Sequence, residues 1–387
     1  MKVTALAAHT PEAARAALAA RGWDADPARF AAAGLQPLLL LLDGVTETER
    51  EALVGWAARG GTDVLTGEGW ALVAGAASRL APLARPDRAP SEFATACADL
   101  ARFLVAYAEP PRRWEIATGA IELTGPVIMG IVNVTPDSFS DGGLHATTDA
   151  AVAHAEKLKA DGADLLDVGG ESTRPGAPPV PVDEELRRVI PVIECLAARN
   201  LGPVSVDTRK AKVAEAALDA GAGVVNDVTA FGFDPDLAGL VARRGAGALL
   251  MHMRGTPETM DSLATYRQVA VEVAEELGRA AERAEAAGVA RERIALDPGF
   301  GFAKTPAQNL RLLDELATIA GAGYPLVVGP SRKRFVGAAT GRPVEDRDRA
   351  TAVACALAWE RGARIFRVHD VSLAREALRL AAATTEA

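Results

Sequence analysis

Short apolar runs alternate with helical patterns from residue 126 to the end of the chain. The runs are continuous in Val, Ile and Leu, which is typical of strands buried on both faces of a parallel sheet. The stretches between them are rich in Ala, Glu, Leu and Arg, which favours helices. We predict strands at residues 127–134, 165–169, 204–207, 224–228, 248–253, 294–297, 326–328 and 365–369, and helices at residues 149–160, 183–199, 210–220, 269–287 and 306–319.

Eight strand–helix units in about 260 residues match the length of a (β/α)8 barrel. A doubly wound open sheet is the structural alternative for the same alternation. We predict an α/β fold in which a (β/α)8 TIM barrel occupies residues 114–387 and a smaller α/β domain precedes it. Thr305, followed by Pro306, is the expected N-cap of the helix at residues 306–319.

Residues 1–110 form the predicted small domain. Segments rich in proline and charge, residues 84–92 and 109–113, are typical of linkers. Residues 114–123 predict a hairpin around Thr118 and Gly119 that closes the bottom of the barrel. The small domain carries no recognisable catalytic cluster, so its role stays open. Its predicted strands are residues 2–6, 38–42 and 71–74, and its predicted helices are residues 11–21, 47–58 and 91–107.

Composition narrows the range of partners. The formal net charge of -9 argues against nucleic acid or an anionic membrane as the main partner. Cys97, Cys195 and Cys355 form no CxxC pair and indicate buried, reduced thiols. The first residues lack a secretion-signal pattern, and residues 38–42, the densest apolar run, are too short to span a bilayer. We expect a cytoplasmic protein that acts on small molecules.

Polar residues close nearly every predicted strand. In a (β/α)8 barrel the carboxyl ends of all eight strands meet at one mouth, where catalytic groups gather. A single strand-terminal Asp is often only a helix cap, whereas polar ends on consecutive strands indicate a site. The residues concerned are Asn133, Asp167, Asp207, Asn226, Met251, His252, Asp297, Ser331, Arg367 and His369.

Two loops after the first two strands carry groups that suit an anionic substrate. The first, NVTPDSFSDGG at residues 133–143, offers Asn133 and two carboxylates, which are oxygen donors that Mg²⁺ accepts together with phosphate and water. An Asx-rich surface turn is the alternative interpretation. The second loop, DVGGESTRPG at residues 167–176, places hydroxyls and a guanidinium between glycines, where they can bind an anion.

Later strand ends carry carboxylates and then cations. Buried carboxylates such as Asp207 and Asp297 need hydrogen-bond donors opposite them, and a flat heterocycle with amino and ring N–H groups supplies several. We interpret Asp227 as a structural residue. We interpret His252 as a packed, hydrogen-bonded histidine, because the sequence offers no second ligand at metal-binding spacing. The segments at residues 329–335 and 367–370 place cationic groups where a pyrophosphate can bind.

These segments closely resemble the dihydropteroate synthase family. NVTPDSFSDGG, DVGGESTRPG, SVDT, the pair at residues 226–227, LMHM, LDPGFGF, SRK and RVHD occur in the family's order and spacing, from about Trp114 to the C-terminus. The resemblance implies an enzyme of folate biosynthesis that condenses 6-hydroxymethyl-7,8-dihydropterin pyrophosphate with p-aminobenzoate. It also implies dependence on Mg²⁺, inhibition by sulfonamides, and a homodimer formed through late barrel helices such as residues 350–359.

The resemblance further implies roles for single residues. Asn133 would ligate Mg²⁺, and the catalytic residues would be Asn133, Asp141, Lys333, Arg367 and His369. The pterin would contact Asp207, Asn226, Met251, Asp297, Lys333 and Arg367. The p-aminobenzoate site and its loops would use Phe139, Asp141, Thr173, Arg174, Pro175, Phe302, Ser331, Lys333 and Arg334.

Two rival functions stay open at this point. A methyltetrahydrofolate-dependent corrinoid methyltransferase shares an Asp/Asn pterin pocket but should lack the TPDSF loop and the SRK cluster. A non-catalytic pterin-binding protein should lack Asn133, Lys333 or Arg367. The chain also departs from the family, with Ala303 where Gly is common, Gln308 where His is frequent, and Arg334 where Ser is common. We expect these departures to affect affinity more than activity.

Overall fold

The computed structural model describes residues 2–6, 38–60, 62–75, 80, 97, 100, 101, 103, 111–135, 143–172 and 179–386. The chain forms two compact units. The smaller unit comprises Met1–Pro110, Tyr266–Ala274 and Asp314–Gly323, and the larger unit comprises Pro111–Thr265, Glu275–Leu313 and Tyr324–Ala387.

The smaller unit contains an antiparallel sheet in the order β1–β2–β4–β3. Thr46 and Glu49 form a capping box at the start of its helix, because the Glu49 carboxylate accepts the Thr46 N–H and the Thr46 hydroxyl accepts the Glu49 N–H. The sequence pattern does not predict β3, whose short polar-interrupted run resembles a turn. The predicted helix at residues 11–21 lies outside the described residues. The elements are β1 (Lys2–Leu6), β2 (Leu38–Val45), α1 (Glu47–Gly60), β3 (Asp63–Gly67) and β4 (Gly69–Gly75).

The larger unit is a (β/α)8 barrel. Eight parallel strands of its described part run in the order β12–β11–β10–β9–β8–β7–β14–β13. A bridge between Leu296 and Leu326 joins the first strand of this series to the segment before the last. The barrel prediction is therefore confirmed, and the open sheet is excluded. The strands are β7 (Val127–Asn133), β8 (Leu165–Gly169), β9 (Val204–Asp207), β10 (Val224–Asp227), β11 (Gly247–Met251), β12 (Ile294–Asp297), β13 (Val327–Val328) and β14 (Ile365–Val368).

Helices follow the strands along the chain, with two corrections to the predictions. The first helix begins at Gly143 rather than at residue 149. The helix predicted at residues 306–319 is two helices, because the N–H groups of Thr318 and Ile319 bond three residues back and interrupt the α-helical pattern. The helices are α2 (Gly143–Ala160), α3 (Val182–Ala198), α4 (Ala211–Asp219), α5 (Leu237–Arg244), α6 (Val269–Ala286), α7 (Pro306–Asp314), α8 (Ala317–Ala320), α9 (Arg334–Thr340), α10 (Asp348–Glu360) and α11 (Val371–Glu386).

The predicted hairpin is present as β5 (Arg113–Ile116) and β6 (Gly119–Glu122), and it closes the bottom of the barrel. Trp114 is fully buried, and its Nε1–H donates to the Arg293 carbonyl at 2.9 Å. Gly247 leaves room for the hairpin, because a Cβ there would lie 2.8 Å from Ile116 Cγ2. The hairpin shares one apolar core with the amino-terminal parts of the strands, formed by Trp114, Ile116, Ile121, Leu123, Val127, Met129, Leu165, Val224, Leu249, Ala295, Val327 and Ile365.

Among the described residues, no helix combines the length and the apolar character that crossing a bilayer requires.

Candidate active site

The pleat of the strands turns one set of polar residues toward the barrel axis. Side chains in a strand alternate between its faces, so a residue two positions after an interior residue also faces the interior. Leu165, Val224 and Ile365 belong to the interior core. The interior positions that follow, toward the carboxyl ends, hold the expected site residues: Asn133, Asp167, Asn226, Met251, Asp297 and Arg367.

Asp227 faces away from the barrel axis, as the same alternation requires. It follows the interior residue Asn226 and therefore points outward, and its carboxylate accepts hydrogen bonds from the backbone N–H groups of Thr229 and Phe231 at 2.7 and 2.8 Å. The Thr229 hydroxyl donates to the same carboxylate at 2.7 Å. These bonds shape the loop after β10, and the predicted structural role of Asp227 is confirmed.

Arg367 joins two buried carboxylates at the centre of the mouth. Its Nε donates to Asp167 Oδ2 at 2.6 Å, and its Nη2 donates to Asp207 Oδ2 at 2.9 Å. Asn226 donates from Nδ2 to the same Asp167 oxygen at 3.1 Å. The register places Asp207 directly beside Asn226 on the neighbouring strand. Three of the residues predicted to contact a pterin therefore lie together around Asp167, a polar strand-end residue to which the family resemblance assigned no ligand contact.

Asp167 is the polar strand-end residue that the family resemblance leaves without a ligand contact. It is fully buried, and its Oδ1 has no hydrogen-bond partner among the described residues. A buried carboxylate needs a cation or several donors, and Arg367 supplies the cation. The same-face spacing from Leu165 to Asp167 is a sequence signal that identifies it.

Burial raises the pKa of the two carboxyl groups predicted to contact the pterin. For Asp297 the pKa rises to about 6, although the Gly299 N–H and the cations Lys333 and Arg367 oppose the shift. Burial also raises the pKa of Asp207, against the opposing charge of Arg367. Asp297 Oδ1 accepts the Gly299 N–H at 2.7 Å, which fixes the carboxylate at the start of its loop. These groups favour a ligand that brings N–H donors.

An apolar and cationic wall faces these carboxylates. Met251 is paired in register with Asp297 on the adjacent strand and packs in one buried cluster with Phe302. The Lys333 ammonium lies over the Phe302 ring, 4.1 Å from its centroid, in a cation–π contact. Gly301, at φ 80°, permits this approach, since a Cβ there would lie 2.9 Å from Lys333 Cδ.

Ser331 and His369 form a second polar pair at the end of β14. The Ser331 hydroxyl accepts the His369 backbone N–H at 3.1 Å and lies 2.9 Å from His369 Nδ1. Burial, with the nearby cations Arg332 and Arg367, lowers the pKa of His369 to about 3, so its ring is neutral at pH 7. The neutral ring keeps one N–H donor, so His369 offers a hydrogen bond rather than the positive charge expected of it.

Asn133 is the candidate metal ligand, and it ends β7 half-buried. Within the described residues, no group of three or more His, Cys, Asp or Glu side chains could hold a metal ion. One carboxamide oxygen fits Mg²⁺ only if phosphate oxygens and water complete its octahedron. The donor set therefore fits a metal that arrives with a pyrophosphate.

A cavity of about 300 Å³ opens beside Asp207. Arg209 lies over the Phe233 ring at 4.2 Å, and its Nη2 donates to Glu171 at 2.9 Å, so one wall is rigidly held. The cavity reaches the Asp207 side chain, which forms part of its wall. Its lining is Glu171, Ser172, Pro179, Asp207, Thr208, Arg209, Val228, Phe233, Thr256, Pro257 and Glu258.

The other predicted residues are either outside this group or outside the described chain. Arg334 is mostly exposed and forms an ion pair with Asp261 at 3.0 Å. His252 is buried and hydrogen-bonded to Glu276 at 2.9 Å, so its predicted packed role is confirmed. The predicted loop residues Phe139, Asp141, Thr173, Arg174 and Pro175 lie outside the described residues.

Two departures from the family pattern have local explanations. Gln308 completes a capping box with Thr305, since its Oε1 accepts the Thr305 N–H at 2.8 Å and the Thr305 hydroxyl accepts the Gln308 N–H at 3.3 Å. The predicted N-cap at Thr305 is thereby confirmed. Ala303 adopts φ 48°, a left-handed conformation that favours glycine, and its buried methyl packs beside Phe302.

Comparisons with known proteins agree with this geometry. The family model described as pterin binding enzyme matches residues 129–369. A dihydropteroate synthase of Escherichia coli K12 is 43% identical over 268 residues, which cover 69% of this chain and 95% of the relative. One of Synechocystis is 44% identical over 245 residues, covering 63% and 85%.

Solved structures give the same result. The dihydropteroate synthase of Xanthomonas albilineans with 4-aminobenzoic acid has a TM-score of 0.67 and 48% identity, covering 71% of this chain and 99% of that one. The same enzyme with 7,8-dihydropteroate has a TM-score of 0.65 and 45% identity, covering 71% and 99%. The Yersinia pestis enzyme with a sulfonamide has a TM-score of 0.67 and 41% identity, covering 71% and 100%.

This chain, a (β/α)8 barrel whose mouth combines buried carboxylates, an amide and a cation–aromatic wall, therefore falls in the class of pterin binding enzymes. Within that class, the chain belongs to the dihydropteroate synthase family.

Proposed function

We propose that this enzyme condenses 6-hydroxymethyl-7,8-dihydropterin pyrophosphate with p-aminobenzoate to give 7,8-dihydropteroate and pyrophosphate, with Mg²⁺ as cofactor. The observation that carries the proposal is the shared carboxylate centre, in which Arg367 bridges Asp167 and Asp207 beside Asn226. A heterocycle with several N–H groups satisfies such a centre, whereas an aliphatic or purely anionic ligand does not.

Pterin recognition falls to Asp207, Asn226 and Asp297, with Met251 against the ring. The carboxylates accept from the amino and ring N–H groups, and Asn226 both donates and accepts. The buried carboxyl groups have raised pKa values in the free protein, and donors on the ligand favour their ionised forms. This arrangement holds the ring with its 6-methylene group toward the cations.

Pyrophosphate leaves when the bond between the methylene carbon and the bridging oxygen breaks. Arg367 and Lys333 offset the negative charge that develops on the leaving group, and the neutral His369 ring donates a hydrogen bond to it. Asn133 would hold Mg²⁺, which neutralises phosphate charge when bound. Electron density from the dihydropterin ring stabilises the methylene cation, so the substitution is largely dissociative.

The amine of p-aminobenzoate then forms a bond from its nitrogen to the methylene carbon and releases one proton to the solvent or the leaving group. An aromatic amine is uncharged at neutral pH, so its attack needs no strong base. Phe302 and Lys333 flank the aromatic ring in this proposal, and Ser331, Arg334 and the loops with Phe139, Asp141, Thr173, Arg174 and Pro175 complete its site. Sulfonamides should compete there.

The direct test measures pyrophosphate release with both substrates and Mg²⁺ and identifies 7,8-dihydropteroate by mass. Release that requires both substrates supports the proposal, and release without p-aminobenzoate contradicts it. Lys333→Ala should bind the pterin weakly and release no pyrophosphate. A matched control is Lys159→Ala, because Lys159 bonds the Ala163 carbonyl at 2.6 Å, before β8 begins. Methyl transfer from methyltetrahydrofolate, or pterin binding without turnover, would favour one of the rival functions.

We further propose a homodimer that acts in the cytoplasm. Val353 and Leu357 of α10 and Leu380 of α11 are exposed apolar residues, with 58%, 39% and 71% of their surface accessible, and a second copy would cover them. Cys97 and Cys355 are buried free thiols and Cys195 is a half-buried one, which suits a reducing compartment. Val353→Glu should convert the dimer to a monomer in sedimentation experiments, and an unchanged mass would contradict this interface.

A further inference from the structure

Lys304 lies in the loop that joins β12 to α7, and burial of its amino group lowers its pKa to about 7. Only 2% of the residue is exposed. Nζ lies 3.1 Å from the Gly299 carbonyl, 3.0 Å from the Phe302 carbonyl and 2.9 Å from His252 Nδ1. An ammonium has three N–H donors and no acceptor, so these three partners use its full hydrogen-bonding capacity.

The acceptor state of His252 is set by a carboxylate from a neighbouring helix. His252 Nε2 lies 2.9 Å from Glu276 Oε2, and Glu276 is also bound by Arg254. Burial and the nearby Lys304 charge lower the pKa of His252 to about 4, so the ring is neutral at pH 7. A neutral ring that donates from Nε2 to Glu276 offers its Nδ1 lone pair to Lys304.

The loop that Lys304 binds has little regular backbone bonding. Gly299, Gly301 and Ala303 all adopt positive φ values, at 68°, 80° and 48°. Such a segment depends on side chains to fix its path. Lys304 binds carbonyls at both ends of the turn from Gly299 to Phe302, and the Phe302 ring supports the Lys333 ammonium.

We propose that Lys304 is a positioning residue for p-aminobenzoate, acting through Phe302. This inference rests on the proposed function, in which Phe302 flanks the aromatic amine. The pterin side of the site is held by other bonds. The His252 N–H donates to the Asp297 carbonyl at 2.9 Å, and Met251 is paired with Asp297 in the sheet. Loss of Lys304 therefore affects one substrate more than the other.

The test compares Lys304→Met with Lys159→Met, which removes a lysine that also binds a main-chain carbonyl but lies before β8. Lys304→Met should raise the KM for p-aminobenzoate by about tenfold or more, with the pterin KM changed less than about threefold, because charge-assisted bonds to the loop are lost. Lys159→Met should change neither KM. Lys304→Gln keeps two donors and should give an intermediate KM. Equal effects on both substrates, or none, would overturn the proposal.

A double-mutant cycle and hydrogen exchange separate this role from general stability and from the reaction itself. If Lys304 acts through Phe302, then Lys304→Met should add little to the p-aminobenzoate KM of Phe302→Leu. Amide exchange in residues 298–303 should rise in Lys304→Met and not in Lys159→Met, whether or not the wild-type chain makes dihydropteroate. Absence of turnover in the wild type counts against the proposed function alone, whereas unchanged exchange counts against the role of Lys304.

If Lys304→Met does not fold, Glu276→Gln is the replacement variant. It leaves Lys304 and both carbonyls in place and weakens the hydrogen bond that fixes His252, together with the ion pair between Glu276 and Arg254. The same selective rise in the p-aminobenzoate KM is expected, smaller than that predicted for the lysine variant. Equal KM values in Glu276→Gln and the wild type, together with unchanged exchange, would overturn the proposal.

Discussion

The Arg367 guanidinium lies 2.9 Å from the carboxylate of Asp207, measured from Nη2 to Oδ2. The same guanidinium binds the fully buried Asp167 through Nε. Without this cation the two carboxylates would share one poorly solvated region with no compensating charge beside them. Arg367 therefore offsets the charge of this carboxylate pair, and in the proposed function it also meets the leaving group.

Asp207→Asn is predicted to weaken pterin binding. The substitution keeps the shape of the side chain and removes the charged acceptor, and a hydrogen bond to a charged group contributes about 1.5–3 kcal/mol. We expect kcat/KM for the pterin substrate to fall about 10- to 100-fold in initial-rate measurements. Asp227→Asn is the matched control. Its carboxylate binds its own loop, so it should lower the Tm with little change in KM, and an equal loss of kcat/KM would contradict the assignment.

Pterin affinity is predicted to fall as the pH drops below about 6. Burial raises the pKa of Asp297 to about 6, and only the ionised carboxylate accepts N–H donors from the ligand at both oxygens. Below this pKa each ligand must displace a proton, so the Kd should rise toward about tenfold per pH unit. Calorimetric titration with 6-hydroxymethyl-7,8-dihydropterin, which carries no phosphate, measures this effect.

Asp297→Asn should reduce the rise of the pterin Kd per pH unit below about pH 6, and an unchanged rise would contradict the role of Asp297. The free energy of unfolding of the ligand-free protein depends on pH in the opposite direction to the pterin affinity. Between the ordinary pKa of 3.8 and about 6 the folded chain binds more protons at Asp297 than the unfolded chain does, so this residue destabilises the fold progressively as the pH rises.

Asn133→Ala is predicted to raise the Mg²⁺ concentration needed for half-maximal activity by about tenfold. The variant removes the single described side chain at the mouth that we propose as a ligand, and the remaining ligands come from phosphate and water. Chelation of Mg²⁺ should abolish turnover in the wild type. Binding of the phosphate-free pterin is the control and should not change, so a loss there would mean that Asn133 contacts the ring instead.

The ring of site residues is largely predictable from the sequence, because side chains along a strand alternate between its two faces. Once Leu165 is taken as an interior residue, Asp167 must face the axis, and Asn226 is separated from the outward Asp227 in the same way. Register in the closed sheet then brings the residues together. The alternation of side chains along each strand is therefore enough to predict which polar residues face the barrel axis, without knowledge of how the core packs.

The residues that escape prediction act through contacts between separate segments. Lys304 and Glu276 are linked through His252, which lies in the loop after β11 and contacts both side chains. The pairing of Ser331 with His369 likewise depends on two loops. Burial and the nearby arginines lower the pKa of His369, so a histidine that its basic sequence context presents as a cation is neutral. Burial and desolvation are properties of the folded chain and leave no local mark in the sequence.

Trp114→Ala is predicted to destabilise the barrel without altering its mouth. The side chain is fully buried and donates to the Arg293 carbonyl, and removing a buried tryptophan costs about 3–5 kcal/mol. Trp114→Phe keeps most of the apolar contact and loses the N–H bond, so it should cost about 1 kcal/mol. Differential scanning calorimetry should show a large and a small decrease in Tm. Folded protein of either variant should retain both KM values, and a selective loss of substrate affinity would contradict this separation.

Arg334 is predicted to attract the p-aminobenzoate carboxylate in competition with Asp261. The two side chains form an ion pair at 3.0 Å and are 60% and 54% exposed, so solvent screens the pair and its contribution to stability is small. Arg334→Ser should raise the KM for p-aminobenzoate several-fold at low salt, while Asp261→Asn should lower it because the guanidinium loses its competing partner. Initial rates at about 0.02 and 0.5 M salt measure both effects, which screening should reduce at the higher concentration. If Arg334→Ser and Asp261→Asn leave this KM unchanged at low salt, Arg334 serves only as the surface partner of Asp261.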